Sequence, residues 1–264
     1  MIQFKDNNLT VFQSALYKTT TAVIHTEEAL IMTDPNWLPE EVQEIRNYVS
    51  QHIGNKKLYI IYTHSDFDHI IGASAFPEAY VIASEEFSAN KHKQEIMKDI
   101  EEFDQKYYLY RNYTPEYPNV DVHVVNDGQT LQIGEVTLHF YKAPGHTSDG
   151  IFTVVDPYGI FLSGDYLSDV EFPFIFSSYR DYVRTVDKAM QIFKEHSIYY
   201  HVPGHGTTTV DYQEMAKRVE VSRYYLEQLG KDNEQLEGFC KKEYSFFDGM
   251  KEIHESNKEK VKMD

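Results

Sequence analysis

The apolar segment Leu58-Tyr59-Ile60-Ile61-Tyr62 runs directly into Thr63-His64-Ser65-Asp66-Phe67-Asp68-His69, which places four potential metal ligands within six positions. A buried strand that ends in a loop of His and Asp side chains delivers donors to one point from a rigid base, as a preorganised site needs. Any fold for this chain must therefore bring that strand end into a concave, polar environment. The competing reading is a polar turn that happens to hold two histidines.

Three further segments argue against that reading. Pro144-Gly145-His146 follows the β-like run from Val136 to Tyr141, Ser163-Gly164-Asp165 follows Ile160 to Leu162, and Pro203-Gly204-His205-Gly206 follows Ile198 to Val202. Each presents one ligand type at a strand end. Glycine beside each candidate allows a sharp turn and close backbone approach to an ion. An isolated histidine of this kind is ordinarily a surface residue, but four coordinated occurrences are not explained that way.

On these motifs the chain resembles the metallo-β-lactamase superfamily, whose pattern is HxHxDH, then a single His, a bridging Asp and a last His. The match runs from about Asp34 to Gly206. The resemblance implies an α+β fold, the αββα sandwich, with a helical and aromatic insertion. It also implies one metal held by His64, Asp66 and His146 and a second held by Asp68, His69 and His205, with Asp165 between them. Asp34, at the end of Ala29-Leu30-Ile31-Met32-Thr33, matches the family's early Asp and is expected behind the ligands. The chain departs from the pattern at one position, since Asp66 stands where most members have the second His.

Neutral imidazoles and ionised carboxylates together can hold two divalent ions and leave room for water. Metal coordination brings the pKa of water from 15.7 down to about 7, which supplies a nucleophile without a serine or cysteine. By resemblance, Asp68 would both bind metal and pass a proton. Asp66 in place of His removes one positive charge from the centre and adds a hard oxygen donor, which favours iron or manganese relative to zinc. The expected cofactors are thus two divalent ions per chain, zinc, iron or manganese. Oxygen-reducing flavodiiron proteins of the same superfamily carry a carboxylate here as HxExDH, so a diiron redox protein competes with a binuclear hydrolase of a small ester, lactone, thioester or phosphodiester. No flavodoxin domain is expected within these 264 residues, so an electron-transfer role would need a separate partner.

Composition excludes other classes. The 264 residues, 41% hydrophobic and 14% aromatic, can bury a substantial core and are expected to form one domain spanning 1–264. A net charge of −17 opposes attraction to polyanions, so a small-molecule substrate is expected and nucleic acid is not. A single Cys240 leaves no intrachain disulfide, and Met1-Ile2-Gln3-Phe4-Lys5-Asp6 lacks a basic and an apolar leader region, which predicts a reducing, cytoplasmic setting. No uncharged apolar stretch reaches the ~18 residues of a spanning helix.

Short strands are predicted at Val11-Phe12-Gln13, Thr21 to Ile24 and Leu30 to Met32, then a helix from about Glu40 to Gln51 and the strand Leu58 to Tyr62. Asn126-Asp127-Gly128 signals a turn between Val122 to Val125 and Leu131 to Ile133, read as a hairpin, and Asp156-Pro157-Tyr158-Gly159 signals another. Helices are predicted at about Tyr179 to Glu195 and Tyr212 to Gln228, the latter ended by Gly230. The insertion, 85–118, reads as helical and then irregular, with Phe103, Tyr107, Tyr108, Tyr110, Tyr113 and Tyr117 as a pocket wall or lid or as core packing. Phe172-Pro173-Phe174-Ile175-Phe176 poses the same choice, with a homodimer contact as a third option. The last part, 235–264, reads as a charged helix and a frayed tail.

Acyl-homoserine lactonases place a Tyr three residues after the bridging Asp. Here Ser168 occupies that position, with Tyr166 nearer. Arg180 and Arg184 read as a solvated pair balancing Asp181 and Asp187. His25, His52, His92, His123, His139, His196, His201 and His254 match no ligand motif, and replacing any of them is expected to leave metal content unchanged.

Overall fold

Alternate residues of the strand Ala29–Thr33 enter two different apolar layers, because side chains of a strand point to opposite faces. Leu30 and Met32 pack with Val42, Ile45 and Val49 of the helix Pro39–His52, while Ala29 and Ile31 pack with Val136, Leu138 and Phe140 of a facing sheet. A strand buried on both faces must lie inside a multilayer sandwich. A third layer repeats the logic on the far side, where Phe152 and Val154 meet Tyr182, Val186 and Ala189. The order of layers is thus helix, sheet, sheet, helix.

The structure is a computed structural model that describes residues 1–231 and 234–263. Its first sheet holds β1 (Ile2–Lys5), β2 (Leu9–Gln13), β3 (Thr20–His25), β4 (Ala29–Thr33), β5 (Lys57–Ile61), β6 (Tyr80–Ser84) and β7 (Val122–Val124), in chain order. The second holds β8 (Gln129–Ile133), β9 (Val136–Lys142), β10 (Ile151–Asp156), β11 (Ile160–Leu162) and β12 (Tyr200–Val202). Pairing is antiparallel from β1 to β4 and parallel from β4 to β7. In the second sheet only β11 and β12 are parallel.

The helices are α1 (Pro39–His52), α2 (Phe67–Ile70), α3 (Glu85–Ser88), α4 (Lys93–Lys106), α5 (Tyr179–Glu195), α6 (Tyr212–Gln228), α7 (Glu234–Glu243) and α8 (Lys251–Met263). Among the described residues, no helix is long and apolar enough to cross a membrane.

Two expectations need correction, and two strands are added. The turn at 126–128 does not close a hairpin: β7 pairs with β6 in the first sheet and β8 with β9 in the second, so this turn carries the chain from one sheet to the other. Local turn chemistry names a reversal but not the partner, which the two inner faces decide. The strands β1 and β6 add to those expected from the sequence, which marks them weakly because Ile2–Lys5 is an exposed edge and Tyr80–Ser84 mixes exposed and buried positions. The segment 235–264, whose last residue lies outside the described ones, is not a charged helix with a frayed tail. It folds as most of α7 and all of α8, and it places Cys240, Tyr244, Phe247, His254 and Asn257 in the interior. A sparse set of apolar residues on a strongly charged background hid that inner face.

The insertion between β6 and β7 forms α3 and α4 and then an irregular run. Phe103 packs on Trp37 at 5.4 Å, and the hydroxyls of Tyr113 and Tyr117 donate to the carbonyls of Ile71 and Phe87. These aromatics hold the insertion to its own layer, whereas Tyr108 and Tyr110 are exposed.

Candidate metal centre

Most of the candidate ligands converge because they follow the C-terminal ends of parallel strands. Asp34 follows β4, His64 to His69 follow β5, Asp165 follows β11 and His205 follows β12. Crevices at such strand ends are where open α/β sheets commonly place ligands. His146 arrives from the loop after β9, where Gly145 adopts φ +129° and a side chain would strike the backbone of Tyr182. Gly204 serves closeness, since a Cβ there would run into Oδ1 of Asp165.

All seven predicted ligands lie together. Nε2 of His146 is 3.2 Å from Oδ2 of Asp66 and 3.3 Å from Oδ2 of Asp165, and Nε2 of His64 is 3.6 Å from both carboxylates. On the other side, Nε2 of His69 is 3.5 Å from Oδ2 of Asp68 and 3.1 Å from Oδ1 of Asp165, and Nε2 of His205 is 3.3 Å and 3.4 Å from Asp68 and Asp165. Donors around a tetrahedral ion with ~2.0 Å bonds stand about 3.3 Å apart, so these spacings suit shared coordination. Asp165 is the one group that reaches all four imidazoles. Asp66 is the most open member, with its side chain 31% exposed, against 0–12% for the other six.

Each imidazole is anchored through Nδ1. His69 donates to Oδ2 of Asp34 at 3.0 Å, His146 to the carbonyl of Phe174 at 2.9 Å, and His205 to the carbonyl of Tyr17 at 2.9 Å. His64 meets the hydroxyl of Thr63 at 3.1 Å, and that hydroxyl donates onward to Asp34 at 2.6 Å. An acceptor at Nδ1 holds the proton there and turns the Nε2 lone pair inward, the tautomer a metal requires. Asp34 thus sits behind the clustered imidazoles, and its Oδ1 also accepts from the backbone N–H of Thr63 at 2.9 Å.

Nε2 of His64, His69 and His146 and Oδ1 of Asp165 are buried without a hydrogen-bond partner among the described residues. Such groups are costly unless something else satisfies them. Electrostatics points the same way. Burial lowers the pKa of His146, but Asp165 and Asp66 outweigh it and raise it to about 10. Burial likewise opposes protonation of His69 and His205, yet Asp165 and Asp68 beside the first, and Glu171 and Asp165 beside the second, bring both well above the ordinary range. Burial would raise the pKa of Asp165, but the imidazoles, His205 foremost, hold it well below the usual carboxylate value. The cluster calls for positive charge at its centre, and divalent cations fit the donor set.

The family described as the metallo-beta-lactamase superfamily matches residues 17–196. The chain belongs to that superfamily. Solved structures of the same fold include a metallo-beta-lactamase from Pontibacter korlensis, 15% identical with a TM-score of 0.60, the match covering 83% of this chain and 97% of that one. A metallo-beta-lactamase family protein from Thermus thermophilus is 15% identical with a TM-score of 0.64, covering 84% and 80%. A stereoselective inverting sec-alkylsulfatase from Pseudomonas sp. is 13% identical with a TM-score of 0.66, covering 86% of this chain but 42% of that one. The protein is therefore of metallohydrolase fold, with buried His and Asp groups suited to divalent metal.

Several residues of this superfamily member are not legible from motif spacing. Glu171 is buried with Oε1 3.6 Å from Nδ1 of His205, and burial raises its pKa to about 7 against the opposing effect of His205. Its position six residues past Asp165 carries no motif. Phe174 and Tyr17 act through backbone carbonyls, which sequence does not mark. The hydroxyl of Tyr166 accepts from the backbone N–H of His146 at 2.9 Å and donates to the carbonyl of Pro144 at 2.8 Å. It is buried, so it braces the His146 loop. Ser168 accepts from the backbone of Val170 and Glu171.

The run 172–176 divides. Phe172, Phe174 and Ile175 are core residues, while Phe176 is 48% exposed with its ring 5.1 Å from that of His146. Arg184 lies 3.5 Å from Asp181, and Asp187 lies 3.4 Å from Arg223. His139 and His196, which match no motif, are brought together beside Asp156.

Proposed function

We propose that this chain is a binuclear metal-dependent hydrolase acting on a small ester, lactone, thioester or phosphodiester. The observation that carries the reading is the Asp165 carboxylate, set 3.1 to 3.6 Å from the Nε2 atoms of four anchored histidines. Its Oδ2 faces His64, His146 and His205 and its Oδ1 faces His69, so the carboxylate stands between two candidate donor sets, His64, Asp66 and His146 on one side and Asp68, His69 and His205 on the other, and would be shared by two ions. When bound, the ions would supply an ionised water near neutrality and polarise the attacked carbonyl or phosphoryl oxygen.

The chain's own residues do the rest. Asp34, Phe174 and Tyr17 keep the imidazoles in register, as preorganisation requires. Asp68 holds Oδ2 between His69 and His205, where it can accept a proton from the attacking water and pass it to the leaving group. Phe176 beside His146 offers an apolar contact to the uncharged part of a substrate. The carboxylate of Asp66 favours iron or manganese relative to zinc.

Elemental analysis after dialysis against a weak chelator should find close to two tightly held metals per chain, and saturation at one would sink the binuclear reading. A panel of esters, lactones, thioesters and phosphodiesters, assayed with defined metal loading, then identifies the bond cleaved. Asp66 also favours a second reading, a diiron redox protein. Aerobically purified protein that is coloured and bleaches on reduction, with no turnover on the panel, would select it.

A further inference from the structure

His139 on β9, Asp156 at the end of β10 and His196 just past the end of α5 lie far apart in sequence and meet on the outer face of the second sheet. Nε2 of His139 is 3.2 Å from Oδ2 of Asp156, and Nδ1 of His196 is 2.8 Å from the same oxygen. The two imidazole rings stand 4.8 Å apart at 65°. Strand pairing explains the convergence: His139 is opposite Val154, so Asp156 lies two residues along on the same face. None of these residues belongs to the centre formed by Asp165.

We propose that His139, Asp156 and His196 form a separate site for one divalent transition-metal cation, clamping the C-terminal end of α5 to the second sheet. Two imidazoles and a carboxylate are a donor set for zinc, nickel, copper or iron, and not for the oxygen-preferring calcium or magnesium. The three side chains are 26%, 32% and 11% exposed, so solvent can reach the site and water can complete the coordination.

The non-ligating nitrogen of His196 is already provided for. Its Nε2 lies 2.6 Å from the hydroxyl of Tyr141. A hydroxyl can either donate to that nitrogen or accept from it, so Tyr141 could hold the ring whether Nδ1 faces Asp156 as a donor or would offer its lone pair to a cation. This is the arrangement of the central histidines in mirror form, each held by a partner on the nitrogen the metal does not use.

The surroundings also favour a cation here, since the carbonyl end of α5 carries partial negative charge close to His196.

The test uses protein already loaded at its central site and freed of excess metal. Zinc titrated into it by calorimetry should reveal one additional, weaker binding event in the wild type. That event should disappear, or weaken at least tenfold, in His139→Gln and separately in Asp156→Asn. Both variants should keep the tightly held metals and unchanged hydrolysis, so failure here is distinct from failure of the proposed hydrolase reading. Thermal denaturation with and without zinc checks that both are folded, and zinc should raise the wild-type Tm more than theirs. Absence of the event in the wild type overturns the proposal. So does an isotherm unchanged in both variants, which would place the zinc elsewhere, for instance at His25 and His52, whose rings are 5.3 Å apart.

Discussion

Asn257 donates its side-chain amide to the carbonyl of Pro173 at 2.6 Å, across 84 residues of sequence. Its Oδ1 accepts from the backbone N–H of Ile175 at 3.0 Å, and its amide also reaches the hydroxyl of Tyr225 at 2.9 Å. The residue between those two anchor points is Phe174, whose carbonyl orients His146. A fully buried side chain on the last helix therefore fixes the geometry of one candidate ligand.

Under the proposed binuclear function, Asn257→Ala should weaken a metal held by His64, Asp66 and His146 by about 10- to 100-fold, the usual effect of losing a partner behind a ligand. A metal held by Asp68, His69 and His205 should be far less affected. Leaving the buried backbone groups of Pro173 and Ile175 unpaired should also cost about 1–3 kcal/mol each. Chelator competition separates the two metal affinities, and equal loss from both would mean that Asn257 serves only general stability.

Asp68→Asn preserves volume while removing the charge and the basic oxygen. Turnover per fully loaded site should fall by about 10² to 10⁴, the range for a general acid or base. Single-turnover kinetics with metal content measured on the same sample is the check. Wild-type turnover at full occupancy would leave Asp68 a structural role only.

Asp66→His restores the common family pattern and replaces the most exposed carboxylate of the cluster with an imidazole. Relative affinity should move from iron or manganese toward zinc. Competition loading at equal metal availability measures it, and an unchanged preference would show that Asp66 does not set metal choice.

His25 gives a stability profile with a definite sign. Burial, followed by the charges of His52, Lys56 and Lys5, lowers its folded pKa from 6.5 to about 4. Between these values the unfolded chain binds more protons than the folded one, so stability is full above about pH 6.5 and is lost as pH falls toward about 4. His25→Gln should flatten that part of the profile relative to wild type, as followed by urea unfolding. Comparing the two proteins cancels the acid sensitivity of the metal ligands they share.

The candidate ligands are readable because short-range pattern carries them. His64 to His69 follow one strand directly, and His146, Asp165 and His205 each sit beside a glycine after an apolar run, so strand ends and donor types are visible together. The family resemblance assigns the seven to two sets, and the geometry brings the same seven to one cluster. The aromatic insertion divides more finely than its composition suggests, with Phe103, Tyr113 and Tyr117 packed and Tyr108 and Tyr110 exposed. Glu171 and the triplet of His139, Asp156 and His196 escape a sequence reading because their neighbours in sequence have no regular relation to their neighbours in space.

Local sequence sets which residues form strands, where those strands end and which donors stand at their ends, because strand alternation and turn chemistry act over a few residues. It could not say that the turn at 126–128 changes sheets, that Tyr17 and Phe174 orient ligands through their carbonyls, or that Asn257 reaches back to the His146 loop. Those relations depend on burying the faces of two sheets and of α7 and α8 against one another. Burial removes water as the alternative hydrogen-bond partner, so buried polar groups must find each other across whatever chain separation the packing imposes.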